Sequence, residues 1–246
     1  MTNPKISIIV PCYNAEKWIE QCVNSALNQT YKNSEIIVVD NESNDNSLQI
    51  INKLKETNPH LLVSTAPNLY KHSWTEPVEE ALSLASGEYF TILGSDDYID
   101  EKYVENIVDV IVRSNGKIEI FQSPIRGIDI NNLPVKNGNI SHSYKNLTEF
   151  KQKLFTGCPV NTPTVVYKKS IHEDGNIFWD SESFLGSSDY NLYFHLADKK
   201  KFIYPIPKWL GYYYRWHPDQ ATWGMQKEET RYDEKIKNWW RKKWET

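Results

Sequence analysis

The stretch Gly87–Asp97, Gly-Glu-Tyr-Phe-Thr-Ile-Leu-Gly-Ser-Asp-Asp, runs from a glycine through five strand-prone residues into two adjacent carboxylates. Phe90, Ile92 and Leu93 predict a strand buried in a sheet, and Gly94 with Ser95 ends it where the acids begin. Two neighbouring carboxylates repel each other. In an open α/β sheet, ligands bind in the crevice outside the carboxyl ends of the strands. The acids therefore indicate a site for a divalent cation and the phosphates that it bridges.

A second interpretation of the same acids stays open. A helix is expected to begin near Glu101, and Ser-Asp-Asp sequences are typical of helix N-caps. Asp97 or Asp100 alone would be enough for that role. The remaining sequence has to decide between a ligand site and a cap.

Composition limits the classes of protein to consider. The chain has 246 residues, of which 39% are hydrophobic and 24% charged, enough for one large α/β domain or a core with a small lobe. A formal net charge of −4 argues against a general nucleic-acid binder. Nine Trp and fifteen Tyr offer flat faces on which sugars and bases stack, although such residues also fill cores.

The three cysteines are Cys12, Cys22 and Cys158, and none forms a Cys-x-x-Cys pair. Neither a disulfide framework nor a zinc site is indicated, and a reducing cytosol fits this usage. The residues after Met1 show no signal-peptide pattern, and no apolar run reaches the ~18 residues of a membrane span. We therefore expect a cytoplasmic protein, and a peripheral location on the inner face of a membrane stays open.

Strands and helices are predicted to alternate in the first half. Apolar, β-branched runs predict strands at Ile6–Val10, where Pro11 should end the strand, at Glu35–Val39 and at Leu61–Ser64. Apolar residues three and four positions apart predict helices after each of them. Gly87 is expected at the C′ position of the third helix, with positive φ. This order predicts an α/β fold with a Rossmann-like, mainly parallel sheet flanked by helices.

The pattern changes after the central strand. A helix around Tyr103–Ile111 and a strand at Ile118–Gln122 precede residues 124–145, which are rich in Asn, Gly, Pro and Ser and predict a hairpin or long loop. A helix near Leu147–Phe155, a strand at Thr164–Tyr167 and a helix from Ser188 to Leu196 follow.

The first strand-to-helix turn, Pro11–Glu16, contains no glycine and places an acid where a phosphate would lie. It therefore excludes a dinucleotide-binding dehydrogenase. A Walker A loop is also absent. The nucleotide is expected to lie across the strand ends, held by Asp40 and by a metal at Asp96.

Five motifs in this order resemble family 2 glycosyltransferases of the GT-A fold. They are Ile8–Asn14, Ile37–Asp45, Ala85–Tyr89 leading to Ser95–Asp97, Gly186–Tyr190, and Tyr214–His217 with its Tyr-Arg-x-His pattern. The resemblance covers about residues 5–220. It implies a GT-A domain over 1–225, with a nucleotide-binding half at about 1–123 and an acceptor half at about 124–225.

The resemblance also implies an activity. The family transfers a sugar from a nucleotide-diphosphate donor, most often a UDP-sugar, with inversion and with Mn²⁺ or Mg²⁺ as cofactor. A hexosyl or N-acetylhexosaminyl transfer to a glycan, glycolipid or lipid-linked acceptor is expected here. Asp40 is expected to accept a hydrogen bond from the uracil N–H, although an Asp after a strand often bonds its own backbone. The predicted donor-binding residues are Pro11, Tyr13, Asn14, Asp40, Lys71, His72, Ser95 and Asp96.

Two further roles follow from the same resemblance. His217 is the candidate second metal ligand beside Asp96, or else a histidine packed against Trp216 and Pro218. Asp189 is the candidate general base, because an inverting displacement needs a carboxylate opposite the leaving phosphate. Its alternative role is a helix cap, and Asp180 or Glu182 would be the next candidates for the base.

The chain departs from the family pattern in two places. Gly94 stands where many relatives have the first acid of Asp-x-Asp, and Val78-Glu79-Glu80 occupies the place of an Arg-Asn pair. Lys71 or His72 is the expected substitute for the missing phosphate contact. These departures keep open a second function, a catalytically degenerate module that binds nucleotide sugars or glycans.

The last segment, 226–246, predicts a basic aromatic helix. Trp239, Trp240 and Trp244 follow helical spacing with Tyr232 and Ile236, interleaved with lysines and an arginine. Such a helix could lie on an anionic membrane surface. It could equally dock its Trp face on its own domain or on a second subunit of a homodimer.

Overall fold

The computed structural model describes residues 3–226 and 231–245. The strands of this part of the chain are β1 Ile6–Cys12, β2 Ser34–Asp40, β3 Leu62–Thr65, β4 Tyr89–Ile92, β5 Tyr98–Ile99, β6 Ile120–Gln122, β7 Arg126–Ile128, β8 Val166–Lys168, β9 Ile203–Pro205 and β10 Tyr212–Arg215. Its helices are α1 Ile19–Leu27, α2 Ser47–Thr57, α3 Thr75–Leu84, α4 Tyr103–Arg113, α5 Leu147–Leu154, α6 Lys169–Glu173, α7 Ser181–Phe184, α8 Ser188–Asp198, α9 Ala221–Gln226 and α10 Tyr232–Glu245.

The central sheet has seven strands in the order β3-β2-β1-β4-β8-β6-β9. β1 pairs in parallel with both β2 and β4, whereas β8 runs antiparallel to β4 and β6. The predicted α/β fold with a mainly parallel sheet is thus confirmed. A second sheet of three strands, β5-β10-β7, forms beside it. Within 124–145, Ile125 and Ile140 form an antiparallel bridge, as a hairpin-like loop would.

Two details of the first half differ from the sequence prediction. Pro11 does not end β1 but lies within it, aligned with Val39, because the φ of proline is compatible with extended backbone. Gly87 is not a positive-φ C′ residue, since α3 ends at Leu84 with an extended Ala85 as its cap. The glycine is needed for a close approach: a Cβ there would lie 2.5 Å from Ser7 Oγ.

Successive side chains of β1 point to opposite faces of the sheet and pack into two hydrophobic cores. Ile8 and Val10 face one core, shared with α1 and α4, while Ile9 faces the other, shared with α3 and α8. Ile236 and Trp240 of α10 are buried in this second core. Trp240 Nε1 also donates a hydrogen bond to Asn191 Oδ1 of α8 at 2.8 Å. α10 therefore docks its Trp240 side on α8 of its own chain.

No helix among the residues that the structure describes is both long and apolar enough to span a membrane.

Candidate active site

A cavity of about 850 Å³ opens beyond the carboxyl ends of β1 and β4. Such a position at the strand ends is where an open α/β sheet binds ligands. Its described lining comes from the loop after β1, the start of α3, the loop after β4, Thr162 with Pro163, and the segment after β10. The lining residues most relevant to chemistry are Pro11, Tyr13, Asn14, His72, Ser95, Asp96, Thr162 and His217.

Asp96 and His217 meet inside this cavity. Asp96 Oδ2 lies 3.0 Å from His217 Nε2, although 121 residues separate them in the chain. β5 begins two residues after Asp96 and pairs antiparallel with β10, which carries His217 two residues beyond its end. The pairing of β5 with β10 thus brings the two side chains together. The His217 side chain is 8% exposed and that of Asp96 29%.

The spacing of this pair suits a shared cation. Two ligand atoms at about 2.1 Å from an octahedral ion, at right angles, stand about 3 Å apart. The described residues contain no group of three or more His, Cys, Asp or Glu side chains that could hold a metal. A cation between Asp96 and His217 would therefore take its remaining ligands from waters or from oxygens of a bound phosphate group. Carboxylate, imidazole and phosphate form a donor set that Mn²⁺ accepts.

Asp97, the second acid of the opening stretch, has a different place. It is 2% exposed and accepts hydrogen bonds from Tyr212 Oη and from the Arg215 backbone N–H, both at 2.7 Å. Burial raises the pKa of Asp97 well above its usual range, and the nearby Asp96 charge raises it further. Asp97 also lines the cavity, but both of its oxygens are engaged by β10, so this side chain fastens β10 to the turn after β4.

Arg215 also holds the turn after β4 in place, from a buried position. Its side chain is fully buried, and Nε donates to the backbone carbonyl of Asp96 at 2.7 Å. The guanidinium also lies 4.3 Å from the ring centroid of Trp18, a cavity residue. Burial lowers the pKa of Arg215 from its ordinary value, and Asp97 is the first of the carboxylates that oppose this. Arg215 therefore fixes the backbone that presents Asp96.

Gly94 has no space for the acid found in many relatives. A Cβ at this position would lie 2.9 Å from Asp97 Oδ2 and 3.0 Å from Asp96 Oδ1. The Gly94 N–H donates to Tyr212 Oη at 3.0 Å, so the turn is pinned at the same place. A further carboxylate here would press against two others. Gly94 is thus part of a compact turn in which Asp96 carries the exposed acid.

The predicted donor residues after β1 lie at the cavity wall. Tyr13 is 47% exposed at the mouth. Asn14 adopts a φ of 48°, and its Oδ1 accepts from the Asn44 N–H at 2.7 Å while its own N–H donates to Ser43 Oγ at 3.0 Å. Asn14 therefore ties the first loop to the second. Pro11 lies within β1 and also lines the cavity.

Asp40, Lys71 and His72 are placed differently from one another. Asp40 ends β2, is 2% exposed and is not among the described residues that line the cavity. Its Oδ2 accepts a hydrogen bond from the Ser43 N–H. Its Oδ1 is buried and has no hydrogen-bond partner among the described residues. Lys71 lines a smaller adjoining pocket that shares Tyr13 with the cavity. His72, with a φ of 59°, lines the main cavity.

Asp189 lies in the first turn of α8, as predicted, directly behind Thr162. Thr162 Oγ1 donates to Asp189 Oδ2 at 2.6 Å, and Asp189 Oδ1 accepts from the Tyr190 N–H at 2.7 Å. Burial raises the pKa of Asp189 above its usual range, against the lowering effect of the Thr162 hydrogen bond. The N-cap position of α8 is Ser187. Asp189 is not among the described residues that line the cavity, but its partner Thr162 is. A carboxylate with a raised pKa next to a cavity-lining residue is a candidate proton acceptor.

The sequence model of the family described as Glycosyl transferase family 2 matches residues 7–175, more than half of the chain. The chain belongs to glycosyl transferase family 2. The family 2 assignment accounts for the order of motifs along the sheet and for the acids that follow β4.

Relatives within the family act on different acceptors by name. A poly(ribitol-phosphate) beta-glucosyltransferase of Bacillus spizizenii is 27% identical over 205 residues, which cover 77% of this chain and 32% of that protein. A chondroitin synthase of Pasteurella multocida is 39% identical over 102 residues, which cover 42% of this chain and 10% of that protein. The chain thus spans a third or less of the length of these two relatives.

Solved structures share the GT-A fold. TarS of S. aureus in complex with UDP-GlcNAc is similar with a TM-score of 0.71 and 22% identity, covering 92% of this chain and 62% of that one. The mannosyltransferase PcManGT of Pyrobaculum calidifontis, in complex with GDP-Man and Mn²⁺, is similar with a TM-score of 0.58 and 17% identity, covering 84% and 55%. The likeness shows the fold of this family 2 chain.

Sequence reasoning missed two residues of this family 2 site. Thr162 carried no signal, because an isolated threonine before a proline has no pattern of its own. Trp18 gave no signal either, although it lines the cavity and lies 5.8 Å from the His217 ring between centroids. A search for aromatic residues near the first loop could have indicated Trp18.

Proposed function

We propose that this chain is an inverting glycosyltransferase that moves a sugar from a UDP-sugar to a hydroxyl group of a glycan or glycolipid acceptor. The observation that carries the proposal is the Asp96 and His217 pair, 3.0 Å apart inside a cavity at the strand ends. A carboxylate and an imidazole at that spacing fit a cation that faces a diphosphate. Family membership and a similar structure that holds UDP-GlcNAc support the same donor class.

In this proposal, Asp96 and His217 hold Mn²⁺ or Mg²⁺ together with the donor diphosphate. The cation, when bound, neutralises the charge that develops on the leaving nucleoside diphosphate. The imidazole ligand favours Mn²⁺ over Mg²⁺, since Mg²⁺ prefers oxygen ligands in octahedral geometry. Ser95 and His72 line the same cavity and are proposed to contact the donor. Lys71 belongs to the adjoining pocket and would contact the donor from there.

We propose that the uracil ring lies against Pro11 of β1 and Tyr13 of the following loop, which Asn14 ties to the loop after β2. Asp40 Oδ1 is buried without a hydrogen-bond partner among the described residues, and such a group costs free energy until it is satisfied. The uracil N–H would satisfy it once the Asp40 side chain turns toward the cavity. Asp40 is therefore proposed to read the base.

Asp189 is proposed to take the proton of the acceptor hydroxyl. The acceptor oxygen then forms its bond to the anomeric carbon, the bond from that carbon to the phosphate oxygen breaks, and UDP leaves with the electron pair. Asp189 ends the step protonated. Its raised pKa supports this role, because a base of higher pKa accepts a proton more readily. Thr162 lines the cavity and bonds Asp189, so we expect the acceptor hydroxyl to reach this carboxylate beside Thr162.

We place this reaction in the cytoplasm. The described cysteines Cys12, Cys22 and Cys158 are all free of disulfides, which fits a reducing compartment. A hexosyl or N-acetylhexosaminyl donor is proposed from the relatives by name, one a glucosyltransferase and one solved with UDP-GlcNAc.

The test is a panel of UDP-sugars and GDP-mannose with mixed glycan and glycolipid acceptors, assayed with Mn²⁺ and with EDTA. We expect transfer from a UDP-sugar, and we expect this transfer to require Mn²⁺. The variants Asp96→Ala and His217→Ala should abolish it. His60→Ala changes an exposed histidine outside the cavity and serves as the matched control. Donor binding without transfer or donor hydrolysis would instead support the degenerate module. Undiminished Mn²⁺-dependent UDP binding by Asp96→Ala, measured by calorimetry, would refute the metal assignment.

A further inference from the structure

α10 presents a basic outer face. Residues 231–245 hold six Lys and Arg against three Asp and Glu, in a chain whose formal net charge is −4. Trp239 is 50% exposed, and its ring contacts that of the buried Trp240 edge-on, with centroids 4.7 Å apart. Lys242 follows Trp239 by three positions and Lys243 by four, so both flank its ring. Lys243 Nζ lies 5.2 Å from the Trp239 ring centroid.

The end of α8 extends this charged surface. Asp198 accepts hydrogen bonds from Lys243 Nζ at 3.0 Å and from Trp244 Nε1 at 2.9 Å. Lys199 and Lys200 follow Asp198 directly and are exposed. We call Lys199, Lys200, Trp239, Lys242 and Lys243 the basic face. It concentrates positive charge around one exposed indole in a protein that is acidic as a whole.

The inner face of α10 is already occupied. Ile236 and Trp240 are buried, and Trp240 stacks on Phe194 of α8 with ring centroids 5.8 Å apart and an interplanar angle of 13°. The helix is therefore fixed on the domain by one side. Only its outer side, with Trp239 and the lysines, is presented outward.

We propose that the basic face binds the surface of a membrane that contains anionic lipids. Lysines near such a surface are attracted to its negative potential. An exposed tryptophan among them is the residue type that settles at the level of the lipid headgroups, with its apolar ring toward the acyl chains. A nucleic acid would fit less well, because the remaining surface is acidic and would repel a long polyanion.

The proposal also orients the active site. Asp189 and Asp198 lie at opposite ends of α8, so at 1.5 Å per residue they are about 14 Å apart along the helix. Docking through the basic face would hold the end of α8 at the lipid surface, with Asp189 about 14 Å away along the helix axis. This orientation, unlike the binding itself, rests on the proposed role of Asp189.

The test is sedimentation of the 246-residue chain with two kinds of vesicle. One kind contains phosphatidylcholine with phosphatidylglycerol, and the other contains phosphatidylcholine alone. We expect binding to the first kind, weakened by salt, and little to the second. Lys199→Glu with Lys242→Glu should lower the partition coefficient about ten-fold or more, since each lysine near the surface contributes measurably. Trp239→Ala should lower it as well, with the salt dependence of the parent retained, because the lysines remain.

The matched control is Lys53→Glu with Lys117→Glu, which makes the same change in net charge at exposed positions on α2 and after α4. It should bind vesicles within two-fold of the parent, and circular dichroism should show both double variants folded. The proposal would be overturned if the control double variant lost as much vesicle binding as the test double variant. It would also be overturned by equal binding to both kinds of vesicle, or by no binding to the anionic vesicles. Tighter binding to a DNA duplex than to anionic vesicles would also overturn it. If Lys199→Glu with Lys242→Glu loses vesicle binding but still transfers sugar to a soluble acceptor, the membrane proposal and the proposed function are tested independently of each other.

Discussion

The hydroxyl of Thr162 is the direct partner of the Asp189 carboxylate, at 2.6 Å between Oγ1 and Oδ2. Tyr193 Oη in turn donates to Thr162 Oγ1 at 3.0 Å. Tyr193 lies one turn after Asp189 on α8, so the helix supplies both ends of the chain of hydrogen bonds. Thr162 thereby holds one carboxylate oxygen in a fixed direction and stabilises its charged form. We regard Thr162 as a positioning residue for the proposed base.

Replacing Thr162 tests this relationship through pH. Thr162→Val removes the hydrogen bond that lowers the pKa of Asp189, so that pKa should rise further. The base acts only when deprotonated, and therefore the acid limb of the kcat profile should move to higher pH, with kcat recovering at alkaline pH. Asp189→Asn should instead lose about 10²-fold or more at every pH. An unmoved acid limb in Thr162→Val would remove Thr162 from this role.

The same carboxylate predicts an effect on stability. Because its pKa is raised in the folded chain, the native state binds more protons than the unfolded state above about pH 3.9, and stability falls as pH rises through that window. Asp189→Asn should therefore be more stable than the parent at neutral pH, with a smaller gain in acid. Urea denaturation at several pH values measures this. Asp180→Ala is the control of opposite sign, because Asp180 caps α7 and its loss should cost about 1 kcal/mol.

Gly94 gives a prediction about the turn that holds Asp96. Gly94→Ala adds a Cβ 2.9 Å from Asp97 Oδ2, so the turn must shift, and overpacking of this kind costs about 1–3 kcal/mol. Gly94→Asp should cost more, because it adds a like charge beside two carboxylates. Activity should fall in both variants. If Gly94→Asp raised transfer above the parent, the chain would be a family member that has lost its first acid.

Adjacent tryptophans on α10 provide a matched pair. Trp240 is 1% exposed and bonds Asn191, so Trp240→Ala should destabilise the fold by about 3–5 kcal/mol. Trp239 is half exposed, and Trp239→Ala should change stability by less than about 0.5 kcal/mol. Thermal unfolding monitored by circular dichroism compares them. Similar losses in both variants would show that the outer face of α10 is also packed.

Local sequence patterns predicted the elements well because burial imposes a period. The run Ile6–Val10 and the spacing of Ile19, Cys22, Val23 and Ala26 reported which faces are buried, and the structure places them in the core. The prediction that Pro11 ends the strand was wrong, because the preference of proline for strand ends is a local rule. It does not include the pairing with the neighbouring strand β2, which keeps the chain extended through Pro11. Gly87 was misjudged because its reason, the approach to Ser7, joins residues 80 positions apart.

The candidate site was predicted unevenly for the same physical reason. The motif resemblance placed Asp96 and His217 together, and the geometry brings them within 3.0 Å. Asp97 looked equivalent to Asp96 in sequence, yet the buried Asp97 carboxylate bonds Tyr212 and Arg215 of β10, whereas the Asp96 side chain is partly exposed and meets His217. That difference depends on the pairing of β5 with β10, which no local pattern specifies. The donor and base roles of the remaining residues stay predictions.

The separation of Asp96 from His217 also has a consequence during translation. The region matched by the family model ends at residue 175, before Tyr212, Arg215 and His217 are made. At a synthesis rate of roughly 5–20 residues per second, the ribosome needs on the order of 10 s to pass from Asp96 to His217. A nascent chain can thus form the first strands of the sheet while Asp97 still lacks the partners that fasten it. In the proposed function, Asp96 cannot share a cation with His217 until residue 217 has emerged from the ribosome.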